Sequence, residues 1–521
     1  ASGSRYVGVE LSSAMVAAGN QHLAASGLPH LATLPGSENQ GRRLPPPGAA
    51  AASRGEASPA SPPPSAPAGR GKPAARSTRE RLAATLRQGD EAMSPRMLRR
   101  ALEELRAIID PRVSEVEGGR RAEAMAQLYL GATPERRRDL WLLMSEMFVA
   151  DPKKTAEAQA RYAAALGTPD EAAAEVHYRR ATVSPRRRLL QRFSVYPGGV
   201  VFLVEMRAEM QPHLKGDKRL LALDVEMEYM FSTWFDVGFL ELRRISWDSP
   251  ASLVEKLIKY EAVHDIRSWA DVKNRLDSDR RCYGFFHPRL PEEPLIFVEV
   301  ALVDEIASDI VPLLDESAAA ADLKKATTAI FYSISNTQVG LRGVSFGDSL
   351  IKRVVETLRA DFPKLKTFAT LSPIPGFRAW LNKNAARMLE ETPEKLRAQL
   401  GRAVGFEPAS AEHVLSALDL MPTLPEKSVL RQWLLGCAAH YLGKELIEER
   451  PADPVARFHL GNGAKLHLIN WAGDLSRKGL RQSAGIMVNY LYDLSSVEEN
   501  HERFVNGEIM YSRAVAKLMS V

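Results

Sequence analysis

The hydrophobic pattern of the sequence changes near residue 195, and this change constrains the fold more than any other feature. Between about 85 and 190, a Ser or Thr directly precedes a Pro four times. The four pairs are Ser94-Pro95, Thr133-Pro134, Thr168-Pro169 and Ser184-Pro185. Each supplies an N-capping hydroxyl followed by proline at the first helical position, where no backbone N–H is needed. Apolar residues then recur at helical spacing. We therefore predict an all-α domain over residues 81–195, with packing or subunit association as its role.

Beyond residue 195 the pattern becomes one of short β-branched and aromatic runs, which favour strands at 200–204, 295–300 and 327–334. Helical stretches at 252–261 and 347–361 lie among them. The alternation predicts a mixed α/β domain over residues 196–521. The expected fold class is α+β, with an all-α domain followed by this mixed domain.

Residues 1–80 hold 11 of the 33 prolines and no large apolar residue after Leu44, so they predict a disordered tail. Their arginines also suit an organellar transit peptide, although the proline clusters oppose an amphipathic helix. The segment carries 8 Lys and Arg residues and 4 Asp and Glu residues. The rest of the chain, after residue 80, therefore has 61 basic and 60 acidic residues. A nearly neutral remainder argues against a broad nucleic-acid surface, despite the pI of about 9.0.

The two cysteines, Cys282 and Cys437, are far apart and have no CxxC spacing, so zinc ribbons are excluded and reduced core residues are expected. A single long-range disulfide stays open. No apolar run reaches the 18 residues of a membrane-spanning helix. We expect a soluble protein. The basic runs 186–188 and 280–281 are interpreted as solvated faces, with contact to a phosphate group of a ligand as the alternative.

A glycine-containing loop joins the strand ending near Ser335 to the helix after residue 347. Its residues are Gly340-Leu341-Arg342-Gly343-Val344-Ser345-Phe346-Gly347-Asp348. Glycines allow close backbone approach, and free N–H groups at a helix start attract a pyrophosphate. The loop lacks the lysine of a nucleotide-hydrolysing P-loop and the GxGxxG of a dinucleotide fold. By itself it therefore fits either a phosphate site or a structural turn.

The sequence on both sides of this loop resembles a known family. Residues 342–347 are similar to the pyrophosphate loop of the GNAT acyl-CoA superfamily, with Ser345 in place of a glycine. The segments that resemble malonyl-CoA decarboxylases are 329–335, 350–355, 371–377 and 453–464, with Trp234-Phe235 and Ile469-Asn470-Trp471. The resemblance runs from about 190 to 495. It implies a GNAT-like catalytic domain that decarboxylates malonyl-CoA without metal or organic cofactor, and a CoA site at Arg342, Gly343, Val344, Ser345, Phe346, Gly347 and Asp348.

Decarboxylation of a malonyl thioester leaves an enolate, so the catalyst needs a hydroxyl or similar donor and an acid. Ser372 follows the predicted strand 367–371 within a proline-stiffened turn, and His459 precedes Gly461 in an apolar setting. From the residues alone, Ser372 fits a turn cap and His459 a core or turn residue. The resemblance implies that they are the catalytic pair, with His459 titrating near neutrality and donating a proton. Tyr492 and Asn470 are candidates for the pocket wall or ordinary structural residues.

Two other functions use the same phosphate loop. A GNAT acyltransferase would need a groove for an acceptor amine, and a CoA-binding regulatory protein would bind acyl-CoA without turnover. We further expect a homo-oligomer, a dimer or tetramer formed through the helical domain, and no nucleic-acid or membrane partner. The expected compartment is the bacterial cytoplasm, with the mitochondrial matrix as the alternative.

Overall fold

The computed structural model describes residues 92–344, 349–418 and 424–520. The predicted tail at 1–80 lies outside them, as do Ser345, Phe346, Gly347 and Asp348 of the predicted phosphate loop. Within the described ranges the chain forms helices first and a mixed sheet with further helices afterwards. The predicted α+β fold class is therefore confirmed.

The first part of the chain is helical. Its helices are α1 (Pro95–Ile108), α2 (Glu115–Leu130), α3 (Pro134–Met147), α4 (Pro152–Ala165), α5 (Glu171–Thr182), α6 (Pro185–Phe193), α7 (Gly199–Met210) and α8 (Leu221–Trp234). As the apolar spacing predicted, α1 buries Leu98, Leu102 and Leu105.

The four predicted helix starts behave differently. Ser94 and Thr133 accept hydrogen bonds from backbone N–H groups of α1 and α3, as N-caps do. Ser184 precedes α6, but its hydroxyl donates to Glu226 at 2.8 Å and caps nothing. The third prediction is wrong because α5 begins at Glu171, and the Thr168 hydroxyl instead donates to the carbonyl of Ala165 at 2.7 Å. Three of the four pairs therefore mark a helix start, and in two of these three the hydroxyl also caps the helix.

The predicted strand at 200–204 is wrong, because these residues lie in α7. Val200, Phe202, Leu203 and Val204 are all buried in the main hydrophobic core. A helix enclosed on most sides shows a continuous apolar run, and over five residues such a run looks the same as a buried strand. Gly198, in the left-handed conformation at φ 84°, turns the chain into this helix.

The second part contains a mixed sheet. Its strands are β1 (Glu241–Ile245), β2 (Arg280–Phe286), β3 (Ile296–Val303), β4 (Thr328–Asn336), β5 (Thr367–Thr370), β6 (Ser372–Pro373), β9 (Lys465–Asn470) and β10 (Met487–Leu491), with β7 (Leu446–Ile447) and β8 (Arg450–Pro451) forming a separate hairpin. The predicted strands at 295–300 and 327–334 are thus confirmed as β3 and β4. β1 to β4 pair in antiparallel order, β4 and β5 are parallel, and β10 pairs antiparallel with β5, β6 and β9.

Further helices cover the sheet. They are α9 (Ala251–Tyr260), α10 (Trp269–Arg275), α11 (Val311–Leu314), α12 (Ser349–Asp361), α13 (Phe377–Glu391), α14 (Glu394–Val404), α15 (Ala411–Ala417), α16 (Val429–Gly443), α17 (Pro454–Gly461), α18 (Arg477–Ser483), α19 (Val497–Val505) and α20 (Arg513–Leu518). The predicted helices at 252–261 and 347–361 correspond to α9 and α12, the latter described from Ser349. One hydrophobic core contains residues of both parts of the chain, from Leu98 on α1 to Tyr490 on β10.

Three of the five arginines in the basic runs, Arg186, Arg280 and Arg281, are buried, and Arg187 and Arg188 are half-buried. Arg186 is buried and donates to the carbonyls of Met144, Ser145 and Ala222. The interpretation is wrong for these three residues because main-chain carbonyls, which a sequence pattern does not reveal, accept hydrogen bonds from their guanidinium groups.

Both cysteines are free and buried, as predicted. Across the described ranges, we find no helix that is both long and apolar enough to cross a bilayer.

Candidate functional site

Ser372 lies where the parallel pair β4 and β5 ends. The pairing of the two strands runs from Thr328 opposite Thr367 to Phe331 opposite Thr370. Beyond this point β4 continues to Asn336. The segment that follows β5 passes through Leu371 and pairs with β10 at Ser372. Ser372 thus lies at the carboxyl ends of two parallel strands, which is where ligands of open sheets bind. Ser372 is 6% exposed, and its hydroxyl donates to Thr370 Oγ1 at 2.8 Å.

His459 reaches Ser372 from helix α17. Asp453 caps this helix by accepting from the N–H groups of Val455 and Ala456, both at 2.9 Å, and Pro454 occupies the first helical position. The Nε2 atom of His459 lies 3.3 Å from Ser372 Oγ, across 87 positions of sequence. The predicted pair is therefore brought within hydrogen-bond distance.

Two tyrosines of one strand face hold the imidazole. Tyr490 stacks on the His459 ring, with 4.6 Å between ring centroids and 25° between planes. The Tyr492 hydroxyl lies 2.8 Å from His459 Nδ1. When this phenol donates to Nδ1, the ring hydrogen lies on Nε2 and faces Ser372. Burial raises the pKa of Tyr492 well above its usual value, so the phenol keeps its proton.

Burial also controls the charge of the histidine. Desolvation lowers the pKa of His459 to about 3, so the ring is neutral at physiological pH in the unliganded protein. The prediction that His459 titrates near neutrality is therefore wrong for this state. Burial raises the pKa of the capping Asp453 to about 6, even though three backbone N–H groups favour its charged form. These groups lie in surroundings that disfavour charge.

Asn470 does not contact the pair. Its amide donates to Asn489 Oδ1 at 2.7 Å, and Asn489 in turn donates to the carbonyls of Thr370 and Ala307. This amide network binds the backbone of β5 directly below Ser372. Asn470 is thus a supporting residue, whereas Tyr492 touches the histidine.

The described part of the predicted phosphate loop contacts the helical part of the chain. Arg342 and Gly343 are exposed and Val344 is buried. Arg207 of α7 donates to the carbonyl oxygens of Gly340 and Arg342, at 2.9 and 2.8 Å. Gly343 adopts φ 88°, a left-handed conformation that suits glycine.

A cavity of about 750 Å³ connects the loop to the helix of His459. Val344 and Leu350, on either side of the undescribed loop residues, form one wall, and Phe458 and Asn462 of the histidine segment form another. Arg450 and Arg457 line it together with Glu448 and Glu449. The volume fits a cofactor-sized ligand. Among the described residues, no cluster of three or more His, Cys, Asp or Glu side chains is arranged to bind a metal ion.

Comparison with known proteins decides the family. A family model described as the malonyl-CoA decarboxylase C-terminal domain matches residues 238–521, and the model of the N-terminal domain matches residues 148–235. The chain belongs to the malonyl-CoA decarboxylase family.

Several members of this family are similar over most of the chain. A malonyl-CoA decarboxylase from Anser anser anser, described as mitochondrial, is 36% identical over 418 residues, which cover 74% of this chain and 80% of the relative. The crystal structure of malonyl-CoA decarboxylase from Rhodopseudomonas palustris has a TM-score of 0.71 and 40% identity, covering 81% of this chain and 99% of that one. That from Cupriavidus metallidurans has a TM-score of 0.66 and 44% identity, covering 81% and 100%.

The sequence analysis missed three residues of the site. Thr370 accepts from the Ser372 hydroxyl and from the N–H of Tyr490, and Tyr490 stacks on the histidine. Strand periodicity could have indicated both residues, because residues two positions apart in a strand lie on the same face. Thr370 is two positions before Ser372, and Tyr490 is two positions before Tyr492. Arg207 had no such signal, since its contacts lie 133 and 135 positions away.

Proposed function

We propose that this chain decarboxylates malonyl-CoA to acetyl-CoA and carbon dioxide, with Ser372 and His459 as its catalytic residues. The observation that carries the proposal is the 3.3 Å contact between Ser372 Oγ and His459 Nε2, where the strands separate. A cavity lies beside the pair, lined by Val344 of the proposed CoA loop and by Phe458, the neighbour of His459 in the chain. Membership of the family gives the substrate.

Ser372 would hold and polarise the malonyl group. The bond between the methylene carbon and the carboxylate breaks, carbon dioxide leaves, and the electron pair moves into the thioester as an enolate. A hydroxyl that donates to the thioester oxygen stabilises this charge, and a donor of this kind is worth roughly 3–4 kcal/mol. In the unliganded protein the same hydroxyl donates to Thr370, so its hydrogen would be redirected when substrate binds.

His459 would supply the proton for the methylene carbon. The ring is neutral without substrate, but a malonyl carboxylate placed beside it favours the imidazolium by direct attraction. Tyr492 Oη then accepts from Nδ1–H and leaves Nε2–H free to transfer its proton to the enolate. The proton taken up on binding is the one consumed in the reaction, so the step balances without any other reactant.

The assignment of phosphate binding to the loop belongs to this proposal. Val344 lines the cavity, Arg342 and Gly343 precede it in the chain, and Ser345, Phe346, Gly347 and Asp348 follow it. The backbone of this segment would receive the pyrophosphate of CoA at the start of α12. Arg450 on the opposite rim is a second source of positive charge.

The assembly and compartment of the protein are also proposed. Helices α4 and α5 pair with each other through stacked Tyr162 and Tyr178, and Leu166 and Val176 are exposed on this hairpin. Exposed apolar residues of this kind suit subunit association through the helical part, as the sequence predicts. We retain the bacterial cytoplasm as the proposed compartment, with the mitochondrial matrix as the alternative.

The test is release of carbon dioxide from malonyl-CoA without added metal or acceptor amine. We expect one acetyl-CoA for each carbon dioxide and loss of turnover in the Ser372→Ala and His459→Ala variants. An acyltransferase would consume malonyl-CoA only when an amine is present. A regulatory protein would bind acyl-CoA without any product appearing.

A further inference from the structure

Arg207 links the helical part of the chain to the phosphate loop. Its side chain is 1% exposed. Its Nε donates to Asp224 at 2.8 Å and one terminal nitrogen donates to Glu228 at 2.9 Å. The other terminal nitrogen donates to the carbonyls of Gly340 and Arg342. Every nitrogen of the guanidinium is therefore engaged, in the fixed fork geometry that arginine provides.

The loop also packs directly on α7, the helix that carries Arg207. A Cβ atom at Gly340 would lie 1.9 Å from the carbonyl oxygen of Val204, so only glycine fits there. A Cβ atom at Gly343 would lie 2.8 Å from the Glu228 carboxylate. The two glycines let the loop settle against α7 and α8, within reach of Arg207.

We propose that Arg207 is a positioning residue for the pyrophosphate of the substrate, an inference that rests on the proposed CoA loop. In a trans peptide the C=O and N–H groups point in opposite directions. Because Arg207 holds the Arg342 carbonyl toward the helices, the N–H of Gly343 is turned away from them, on the exposed side of the loop. A backbone N–H fixed in this direction is ready to donate to a phosphate oxygen without reordering the loop.

The same contact polarises the peptide. A cation that binds the carbonyl oxygen draws electron density from the amide and strengthens its N–H as a donor, as in other hydrogen-bonded chains. Arg207 thus acts on the phosphate through the backbone and without touching it. Its loss should weaken binding of the phosphate-bearing end of the substrate and leave the chemistry at Ser372 unchanged.

Arg186 provides a matched control. It is another buried arginine of the helical part, and it also donates to three main-chain carbonyls, those of Met144, Ser145 and Ala222. None of the three belongs to the loop. A purely structural role for buried arginines predicts the same outcome for both residues, whereas a positioning role predicts a difference.

The experiment compares malonyl-CoA with malonyl-pantetheine, which has the same thioester but no pyrophosphate. The measured quantity is the ratio of kcat/KM for the two substrates, in the full chain and in the Arg207→Lys and Arg186→Lys variants. Lysine keeps the charge beside Asp224 but loses the fork, so the variant should fold. We expect the ratio to fall roughly tenfold in Arg207→Lys, mainly through KM for malonyl-CoA, because a hydrogen bond to a charged group is worth about that factor.

The ratio in Arg186→Lys should equal that of the parent, even if its melting temperature is lower. Arg207→Gln, which also removes the charge, should lower the ratio further, so lysine counts as partial rescue. An equal ratio in Arg207→Lys and Arg186→Lys would overturn the inference. A parent enzyme that processes both substrates equally well would overturn the CoA loop as well, and a chain that releases no carbon dioxide would refute the proposed function itself.

Discussion

The proposed chemical centre and the proposed phosphate loop are built in opposite ways. Ser372, His459 and Tyr492 all come from the sheet region and are buried among its own residues. The loop instead is exposed at Arg342 and Gly343, and its backbone accepts hydrogen bonds from Arg207 of the helical region. The centre is enclosed by apolar surroundings that keep its groups neutral, whereas the loop depends on a charged contact from a distant part of the chain. Chemistry and substrate capture should therefore respond to different mutations.

The largest expected effect is on turnover at the centre. His459→Ala removes the proposed acid but no loop contact, so kcat should fall by about 10²–10⁴ while acetyl-CoA affinity changes little. The double variant with Ser372→Ala should be hardly worse than the more damaging single variant, because both groups act on one transition state. Steady-state kinetics and calorimetry of acetyl-CoA binding measure the two quantities. Turnover at the parent rate in a folded His459→Ala protein would end the catalytic assignment.

The apolar enclosure of His459 should also appear in the pH dependence of stability. The pKa is lowered to about 3 in the folded protein, against about 6.5 in the unfolded chain. Below pH 6.5, His459 binds a proton in the unfolded chain but not in the folded protein. The free energy of unfolding is therefore unaffected by this group above pH 6.5 and decreases as the pH falls toward 3.

Urea unfolding at pH 7 and pH 5 tests this dependence. His459→Gln should reduce the loss of stability between the two pH values by no more than about 2 kcal/mol. The same substitution at the exposed His177 serves as the control and should leave the loss unchanged. An unaltered pH dependence in His459→Gln would contradict the buried neutral ring.

The loop side of the comparison is tested at Gly340. Gly340→Ala places a Cβ 1.9 Å from the Val204 carbonyl, so the loop must move away from α7. We expect acetyl-CoA affinity to fall about tenfold, in line with the usual cost of overpacking, while kcat at saturation stays near the parent value. Gly216→Ala is the control, because its Cβ would lie 3.8 Å from the nearest atom. A kcat loss as large as the affinity loss would show that loop and centre are not separate.

The smallest effect is expected at Tyr492. Tyr492→Phe removes the hydroxyl 2.8 Å from His459 Nδ1 but keeps the ring, so kcat should fall several-fold, as expected for one net hydrogen bond. Tyr283→Phe removes a buried hydroxyl that has no hydrogen-bond partner among the described residues, and it should leave kcat unchanged. Equal kinetics in the two variants would remove Tyr492 from the centre.

Local patterns in the sequence were enough for much of the fold. The hydroxyl caps Ser94 and Thr133 start helices because a cap depends only on residues two or three positions away. The apolar runs of β3 and β4 and the helical face of α12 were predicted for the same reason, since strand and helix periods are local properties. Resemblance to the family selected Ser372 and His459, which residue type alone left as a turn cap and a core histidine.

Tertiary structure decided what depends on distant neighbours. Residues 200–204 form a helix because the core encloses them, and their composition alone favoured a strand. Arg186 and Arg280 are buried because carbonyls remote in sequence accept their hydrogen bonds. The lowered pKa of His459 likewise follows from its burial. The hydrogen bonds from Arg207 to the loop join residues more than 100 positions apart. A sequence records which groups are present, and only folding fixes the solvent and the partners that each group meets.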